Sequence, residues 1–322
     1  MTEDTPVFLS LVITTCKRQA WLQECLHSIY FSCTEYYNNG GEKKIEVIVC
    51  DDDSGQTSSV ELTSHAGLKS IGVDFNYHIN AANLGDYFNR NKGISLAKGE
   101  WVKFIDDDDL IYPWTINFMV EKVAASKDAN TVIFYLRNNF RHLYFPVILR
   151  DEAILKFHYL DYGLFHCSLV SAVFLRTDLV KHGAFKFKRF YGDFQIFHDM
   201  ATNGVFYIYP IELGWYRIHD DQESSNNRKK GRIRFNYLLF SYNYFIINKS
   251  TVPYYRLSLG DCWAYIKYAI KHFDFSMLYD ACYMYVLIFR KTLKFNKTTA
   301  AELLKWDRYY RRKMLYGDNT CL

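Results

Sequence analysis

Two short apolar runs in this chain each end in a row of aspartates, and this pattern constrains the fold more than any other feature. Residues 45–50 lead into Asp51 to Asp53, and residues 101–105 lead into Asp106 to Asp109. Both leaders are rich in β-branched and aromatic residues, which predicts buried strands. In open α/β proteins ligands bind beyond the carboxyl ends of parallel strands, so we expect both acidic rows at a ligand-binding edge.

Strand-like and helix-like segments alternate through the first part of the chain. Further strands are predicted at 8–14, 73–79, 131–136 and 205–210. This alternation indicates an α/β fold with a mostly parallel sheet covered by helices on its faces. The helices are predicted by apolar residues at helical spacing, one around Leu22, Cys25, Leu26 and Ile29, one over 86–97, and one around Ile116, Met119, Val120 and Val123.

Composition limits the classes of protein that remain. A chain of 322 residues can bury a full core, and its aromatic share of 18% excludes a disordered protein. The eight cysteines are scattered without a CxxC pair, which indicates reduced thiols and no zinc site. We find no apolar run of about 18 residues and no signal peptide, so a cytoplasmic location is expected. The net charge of +4 is small, and no nucleic-acid partner is expected.

The row from Asp106 to Asp109 poses an electrostatic problem of its own. Four adjacent carboxylates repel one another unless a cation lies among them. A divalent cation held by carboxylate oxygens and by substrate phosphates would provide that charge. A solvated acidic turn is the alternative, but the position at a strand end favours the metal.

Six short segments occur in an order and at spacings that carry a family resemblance. On them the chain resembles the family 2 glycosyltransferases of the GT-A fold, which are inverting enzymes that use nucleotide-diphosphate sugars. The resemblance covers roughly residues 8–225 and implies a GT-A domain over 1–234, followed by a C-terminal helical region over 235–322. The segments are residues 11–18, 47–54, 83–93, 97–110, 191–194 and 216–219.

The resemblance implies a nucleoside pocket at the ends of the first two strands. Thr14 and Thr15 would line it, and Asp51 or Asp52 would accept a hydrogen bond from the base. An ionised carboxylate only accepts hydrogen bonds, which suits the N–H edge of uracil or thymine. Arg90 would face the base or its carbonyl group, and a surface salt bridge is the alternative.

The same resemblance assigns roles within the aspartate row. Asp106 and Asp108 match the D-x-D signature, and they would hold Mn²⁺ or Mg²⁺ against the two phosphates. His219 matches a position near the diphosphate or the metal, and a structural role is its alternative. The cation would stabilise the charge that grows on the leaving diphosphate. Asp107 and Asp109 are assigned to the nucleotide sugar, Asp109 through the sugar hydroxyls.

An inverting transfer also requires a general base on the acceptor side of the sugar. Asp193 is assigned this role because Gly192-Asp193 matches the acidic pair of the family, although the family usually has an acid where Gly192 stands. Asp199 is the fallback, and its other interpretation is an ordinary acid on a helix surface.

Two basic segments follow the predicted catalytic part. The loop 219–234 would close over the phosphates or would simply be a solvated basic loop. A predicted helix would lie on an anionic membrane surface or dock on the catalytic domain. The loop carries Arg228, Lys229, Lys230 and Arg232, and the helix carries Leu303, Trp306, Tyr310 and Met314 on its apolar face and Lys305, Arg308 and Arg312 on its basic face.

Together these features predict transfer of a hexose from a UDP-sugar to a hydroxyl of a sugar acceptor. The resemblance implies a polyprenyl-diphosphate-linked oligosaccharide as acceptor, in O-antigen or capsule synthesis, with peripheral contact to the inner face of the cytoplasmic membrane. A phosphatase with an aspartyl nucleophile fits poorly, because its D-x-D would follow the first strand. A non-catalytic GT-A-like protein that binds nucleotides or glycans is the alternative, and only the altered Gly192-Asp193 pair favours it.

Overall fold

The computed structural model divides the chain into two compact units. The first comprises residues 1–154 and 165–217, and the second comprises residues 155–164 and 218–322. The boundary predicted between residues 234 and 235 stays a prediction, as does the C-terminal helical region. The structure describes residues 5–55, 63–135, 146–158, 164–186, 192–217 and isolated positions between 263 and 282.

An eight-stranded mixed sheet lies at the centre of the first unit. Its order is β3-β2-β1-β4-β8-β6-β9-β7, and a separate ribbon pairs β5 with β10. The pairs β1–β2, β1–β4, β2–β3 and β6–β9 are parallel, whereas β8 and β7 run antiparallel to their neighbours. The strands are β1 (Val7–Thr15), β2 (Lys44–Asp51), β3 (Asp74–Ile79), β4 (Trp101–Asp106), β5 (Leu110–Ile111), β6 (Thr131–Phe134), β7 (Val147–Arg150), β8 (Ala172–Leu175), β9 (Val205–Tyr209) and β10 (Gly214–Trp215).

Helices cover the sheet, and their apolar stripes face the core. The first helix buries the four residues whose spacing predicted it, and the fourth buries its predicted face in the same way. The helices are α1 (Gln19–Asn38), α2 (Thr63–Ser70), α3 (Asp86–Leu96), α4 (Thr115–Ala125), α5 (Glu152–Phe157), α6 (Arg176–Lys181) and α7 (Gly192–Ala201).

A glycine sets the position of α3 against the central strand β1. A Cβ atom at Gly93 would lie 2.2 Å from Cγ1 of Val12, so only glycine lets the two elements approach this closely. The close contact holds α3 against β1, and one turn earlier the Asn89 side-chain amide donates to the Cys50 carbonyl oxygen near the carboxyl end of β2.

The predicted α/β fold is confirmed, and so is the mostly parallel character of the sheet. β7 and β8 were not predicted, because each has four residues and shows too little alternation to stand out. Within the described residues, no helix combines the length and the hydropathy that crossing a membrane requires.

Candidate active site

Three parallel strands bring the predicted site residues to one edge of the sheet. Thr15 at the end of β1 pairs with Asp51 of β2, and Thr14 pairs with Asp106 of β4. The nucleoside-pocket candidates and the first aspartate of the row therefore lie side by side, as expected for the carboxyl ends of neighbouring parallel strands. Thr14 is half-buried and Thr15 is buried.

Three carboxylates of the row that follows β4 converge. Oxygen atoms of Asp106, Asp108 and Asp109 all lie within 4.8 Å of one another. A tight turn produces this arrangement, since the Asp109 backbone N–H donates to the Asp106 carbonyl oxygen at 3.1 Å. Carboxylate oxygens in such a group are the ligands that hard divalent cations prefer, so the chemistry of this site fits Mg²⁺ or Mn²⁺.

Asp107 has partners outside that group. Its carboxylate accepts a hydrogen bond from the Thr15 hydroxyl at 2.7 Å and another from Arg18 at 3.3 Å. The same Arg18 nitrogen donates to Asp108 at 3.1 Å, and the guanidinium lies 5.2 Å from the ring centre of Trp21. Arg18 therefore neutralises part of the acidic row from the α1 side.

Burial makes Asp107 and Asp109 hard to ionise. It raises the pKa of Asp107 to about 6, partly offset by the Thr15 hydrogen bond and Arg18. Burial, with the repulsion of Asp106 and Asp108, raises the pKa of Asp109 to about 8. The Asp109 side chain is 1% exposed, and its Oδ2 atom has no hydrogen-bond partner among the described residues. A cation at this group would satisfy that oxygen and favour the ionised form.

Lys103 is a buried cation inside the strand that leads to the row. It is 1% exposed, and its ammonium group donates to the Val170 carbonyl oxygen. Burial lowers the pKa of this lysine to about 7, against the opposing influence of Asp109.

Arg90 lies between two acids. Its guanidinium is buried and forms ion pairs with Asp86, one turn earlier in α3, and with Asp106. Burial opposes the charge of Arg90, but these carboxylates outweigh it and keep its pKa well above the usual value. The same guanidinium partly offsets the rise that burial causes in the pKa of Asp106. Arg90 thus supplies the positive charge nearest to the acidic row on the α3 side, and its role towards the base stays a prediction.

Asp51 is a buried acceptor at the end of β2. The Tyr77 hydroxyl donates to one of its oxygens at 2.6 Å, and the Asp53 backbone N–H donates to the other at 2.9 Å. A carboxylate offers about four acceptor positions, so these two bonds leave capacity for a further donor.

Asp52 has a different set of partners, all from the segment that enters α3. Its carboxylate accepts hydrogen bonds from the Asn80 amide at 2.9 Å and from the backbone N–H groups of Leu84 and Gly85, both at 2.7 Å. The side chain is 4% exposed. Asp52 therefore ties β2 to the start of α3, and its predicted contact with a base stays a prediction.

Asp193 lies half-buried in the first turn of α7. Burial raises its pKa to about 6, and Asp106 and Asp86 add to the rise, whereas Arg90 and a hydrogen bond with Tyr87 oppose it. The base candidate and the metal-site candidate are thus close enough to influence each other electrostatically. The fallback Asp199 instead forms an ion pair with Lys186 at 2.8 Å and accepts a hydrogen bond from Gln195.

Several predicted residues lie outside the described part of the chain, and their roles stay predictions. They are His219, the basic residues Arg228, Lys229, Lys230 and Arg232, and the predicted amphipathic helix around Leu303, Trp306, Tyr310 and Met314.

Sequence reasoning missed the partners of the aspartates. Arg18 and Lys103 were visible as positive charges beside and within the acidic segments, so a search for counter-charges would have found them. Tyr77 and Tyr87 gave no such signal, because 27 tyrosines occur in the chain and only the fold selects these two.

The mixed sheet, the convergent carboxylates at the ends of its parallel strands and Asp193 on α7 are the arrangement of a GT-A domain. The family model for glycosyl transferase family 2 matches residues 10–183, more than half of the chain. The chain therefore belongs to glycosyl transferase family 2.

Two curated relatives share parts of the sequence. An uncharacterized glycosyltransferase of Mycoplasma genitalium is 28% identical over 127 residues, which are 39% of this chain and 40% of the relative. A GalNAc(5)-diNAcBac-PP-undecaprenol beta-1,3-glucosyltransferase of Campylobacter jejuni is 30% identical over 115 residues, which are 35% of this chain and 34% of the relative. The matched segments thus span well under half of these proteins.

Solved structures share the fold at low identity. TarS 1–349 of S. aureus, in complex with UDP-GlcNAc, gives a TM-score of 0.53 at 14% identity and covers 72% of this chain and 66% of that one. The mannosyltransferase PcManGT of Pyrobaculum calidifontis, in complex with GDP-Man and Mn²⁺, gives a TM-score of 0.51 at 14% identity. The match covers 98% of this chain and 90% of that one. These similarities support the fold assignment.

Proposed function

We propose that the protein moves a hexose from a UDP-sugar to a hydroxyl group of a sugar acceptor, with inversion at the anomeric carbon. The observation that carries the proposal is the convergence of Asp106, Asp108 and Asp109 within 4.8 Å at the carboxyl edge of the sheet. Asp193 lies within electrostatic reach of this group, so that a diphosphate site and a base would flank the same sugar.

The nucleoside would bind at the ends of β1 and β2. Thr14 and Thr15 line this part of the edge, and Asp51 keeps acceptor capacity for the N–H group of uracil. The Asp52 carboxylate, which already accepts three hydrogen bonds, would act by holding the β3–α3 segment in place. The UDP-sugar bound by TarS, which shares the fold, is consistent with this choice of donor.

A divalent cation, Mn²⁺ or Mg²⁺, would be held by Asp106 and Asp108, with His219 as a further proposed ligand. Asp109, which the sequence assigned to the sugar hydroxyls, converges with these two acids, and we propose it as a ligand as well. When bound, the cation supplies positive charge against the diphosphate that leaves. The protein contributes by keeping the carboxylates converged through the Asp106–Asp109 turn. Arg18 holds Asp107 and Arg90 holds Asp106, so neither acid is left as an isolated charge.

Asp193 would take the proton from the attacking acceptor hydroxyl as the new glycosidic bond forms. Its pKa of about 6 leaves the carboxylate mostly ionised at neutral pH, yet basic enough to accept a proton in the transition state. Attack on the sugar face opposite to the leaving diphosphate inverts the anomeric configuration. Gly192 does not remove this base, because the aspartate itself is retained in the first turn of α7.

The acceptor would be an oligosaccharide carried on a polyprenyl diphosphate, as used in O-antigen or capsule synthesis. The name of the Campylobacter jejuni relative specifies an undecaprenol-linked acceptor, which supports this choice. An acceptor of this kind lies in the bilayer, so the enzyme would meet it through peripheral contact at the inner face of the cytoplasmic membrane.

The test is nucleotide release by the purified full chain, with Mn²⁺, from a panel of UDP-, GDP- and dTDP-sugars. We expect turnover with at least one UDP-hexose, loss of activity with EDTA, and faster turnover when a polyprenyl-diphosphate glycan is added. Turnover only with a GDP- or dTDP-sugar would overturn the choice of donor. A chain that binds no sugar nucleotide would overturn the proposed function itself.

The base is tested by Asp193→Asn, which keeps the shape of the side chain and removes its basicity. We expect a loss of about 100-fold or more in kcat, within the range that general bases contribute. Asp74→Asn is the matched control, because Asp74 is an exposed acid at the start of β3 that pairs with Lys44. Equal activity of the two variants would mean that another group takes the proton.

A further inference from the structure

We infer that Tyr87 is a positioning residue that holds the Asp193 carboxylate in the orientation a base requires. The inference rests on the proposed function, because it assigns Tyr87 a role only through Asp193. Tyr87 lies in the first turn of α3, and Asp193 lies in the first turn of α7. The contact between the two residues therefore joins two separate helices at the site.

The backbone at Gly192 supports one face of the Tyr87 ring. A Cβ atom at Gly192 would lie 2.3 Å from Cδ1, 2.4 Å from Cε1 and 2.5 Å from Cγ of Tyr87. No residue with a side chain can occupy position 192 while this ring stays in place. The glycine before Asp193 is thus explained by the tyrosine that packs on it.

Two further neighbours restrict the ring. Phe185 stacks on Tyr87 with ring centres 5.2 Å apart and planes at 25°. The Arg90 guanidinium lies 5.3 Å from the Tyr87 ring centre. The Tyr87 side chain is 6% exposed, so contacts on several sides leave it little freedom to change rotamer.

The hydroxyl group at the end of this fixed ring lies within reach of the Asp193 carboxylate, and as a hydrogen-bond donor it opposes the rise that burial causes in the pKa of Asp193. An aspartate in the first turn of a helix can otherwise adopt more than one rotamer. The bond selects one of them and leaves the other lone pairs of the carboxylate for the acceptor hydroxyl. Arg90 packs on the same ring and pairs with Asp106, so it links the base to the metal-site candidates.

Hydrogen bonds to Asp52 fix the backbone at the start of α3. The two backbone N–H groups that donate to Asp52 belong to Leu84 and Gly85, immediately before the helix. Because Tyr87 follows two residues later, its ring position is coupled to the end of β2. Tyr87 thus projects from a backbone that is anchored to the sheet.

The test is Tyr87→Phe, which keeps the ring and its packing and removes only the hydroxyl. We expect kcat to fall about tenfold, with the donor KM and the melting temperature close to wild type, because the lost bond acts on the base and not on donor binding. Tyr207→Phe is the matched control, since Tyr207 also donates to an aspartate, Asp128, at 2.7 Å, on an exposed part of the sheet. It should keep the wild-type kcat.

The double variant Tyr87→Phe/Asp193→Asn separates positioning from a general structural role. If Tyr87 acts through Asp193, the double variant should have the kcat of Asp193→Asn alone. Losses that multiply, or a Tyr87→Phe variant within twofold of wild type, would overturn the inference and leave the proposed function standing. A wild-type chain without metal-dependent turnover on any sugar nucleotide would overturn both.

Discussion

The two aspartate rows of this protein follow neighbouring parts of the same sheet edge but have different surroundings. At the end of β2, Asp51 and Asp52 are surrounded by donors that belong to the protein, from Tyr77, Asn80 and backbone N–H groups. At the end of β4, three carboxylates face one another instead. An acidic row thus becomes a candidate for a cation when its carboxylates converge on one another.

Two arginines partly compensate the negative charge of the row after β4. Arg18 and Arg90 approach the row after β4 from α1 and α3, and each contacts some of its acids. Even so, burial and mutual repulsion raise the pKa values of Asp107 and Asp109. The residual negative charge is what a divalent cation would balance.

Asp108→Ala should cause the greatest loss of activity. Asp108 belongs to the converged group, and its side chain is only 14% exposed. Removal of one ligand should lower metal-dependent turnover at least about 100-fold, as for the loss of a group that stabilises transition-state charge. The melting temperature should stay close to wild type, because the variant also relieves repulsion.

Asp53→Ala is the control for this variant. Asp53 is a half-buried acid in the other row, and it should retain turnover within about twofold of wild type. A large loss in Asp53→Ala, or none in Asp108→Ala, would remove the distinction between the two rows. The turnover of both variants is measured as the initial rate of nucleotide release.

Asp52→Ala should produce the next largest effect, which is a loss of stability. The substitution leaves the N–H groups of Leu84 and Gly85 and the Asn80 amide without their acceptor. Two or three orphaned donors should lower the free energy of unfolding by about 3 kcal/mol. Urea unfolding followed by circular dichroism checks this value, and a variant as stable as wild type would contradict the structural role of Asp52.

Asp109→Asn should have a smaller effect, of opposite sign. The pKa of Asp109 is about 8 in the folded chain against 3.8 for an unperturbed group, so the unfolded chain loses this proton first as pH rises. Stability is therefore lost between about pH 4 and pH 8, and an asparagine side chain at this position cannot ionise. In EDTA at pH 7 the free energy of unfolding of the variant should exceed that of wild type by at least about 1 kcal/mol, since each pKa unit corresponds to about 1.4 kcal/mol.

The pH profile is the sharper readout for Asp109→Asn. Its unfolding free energy should vary less than that of wild type across the same pH range. A variant that is less stable at pH 7, or one that keeps the wild-type slope, would show that Asp109 ionises without strain in the folded chain.

The parallel part of the sheet was predictable because β1, β2 and β4 are mostly apolar and almost continuously buried. The short antiparallel strands β7 and β8 carry too few residues to be recognised in this way. Their pairing depends on contacts between distant parts of the chain, and local patterns do not encode those contacts.

The sequence allowed us to predict which row of aspartates forms the site, but not which of its carboxylates lie together. Four consecutive aspartates look alike in sequence, but the turn from Asp106 to Asp109 brings those two acids together and directs Asp107 to Thr15. The turn geometry, and not residue type, decides which carboxylates converge. The glycine at position 192 was equally hard to explain from sequence, because the ring that leaves no room for a side chain there belongs to Tyr87, more than a hundred residues earlier in the chain.

The stoichiometry of Mn²⁺ binding in the presence of UDP decides which row holds the cation, and calorimetry or electron paramagnetic resonance measures it. We predict about one Mn²⁺ for each wild-type chain and for each Asp53→Ala chain, and none for Asp108→Ala, since the acids after β4 hold the cation. Unchanged Mn²⁺ binding in Asp108→Ala, or loss of binding in Asp53→Ala, would contradict the assignment of the metal to the row that follows β4.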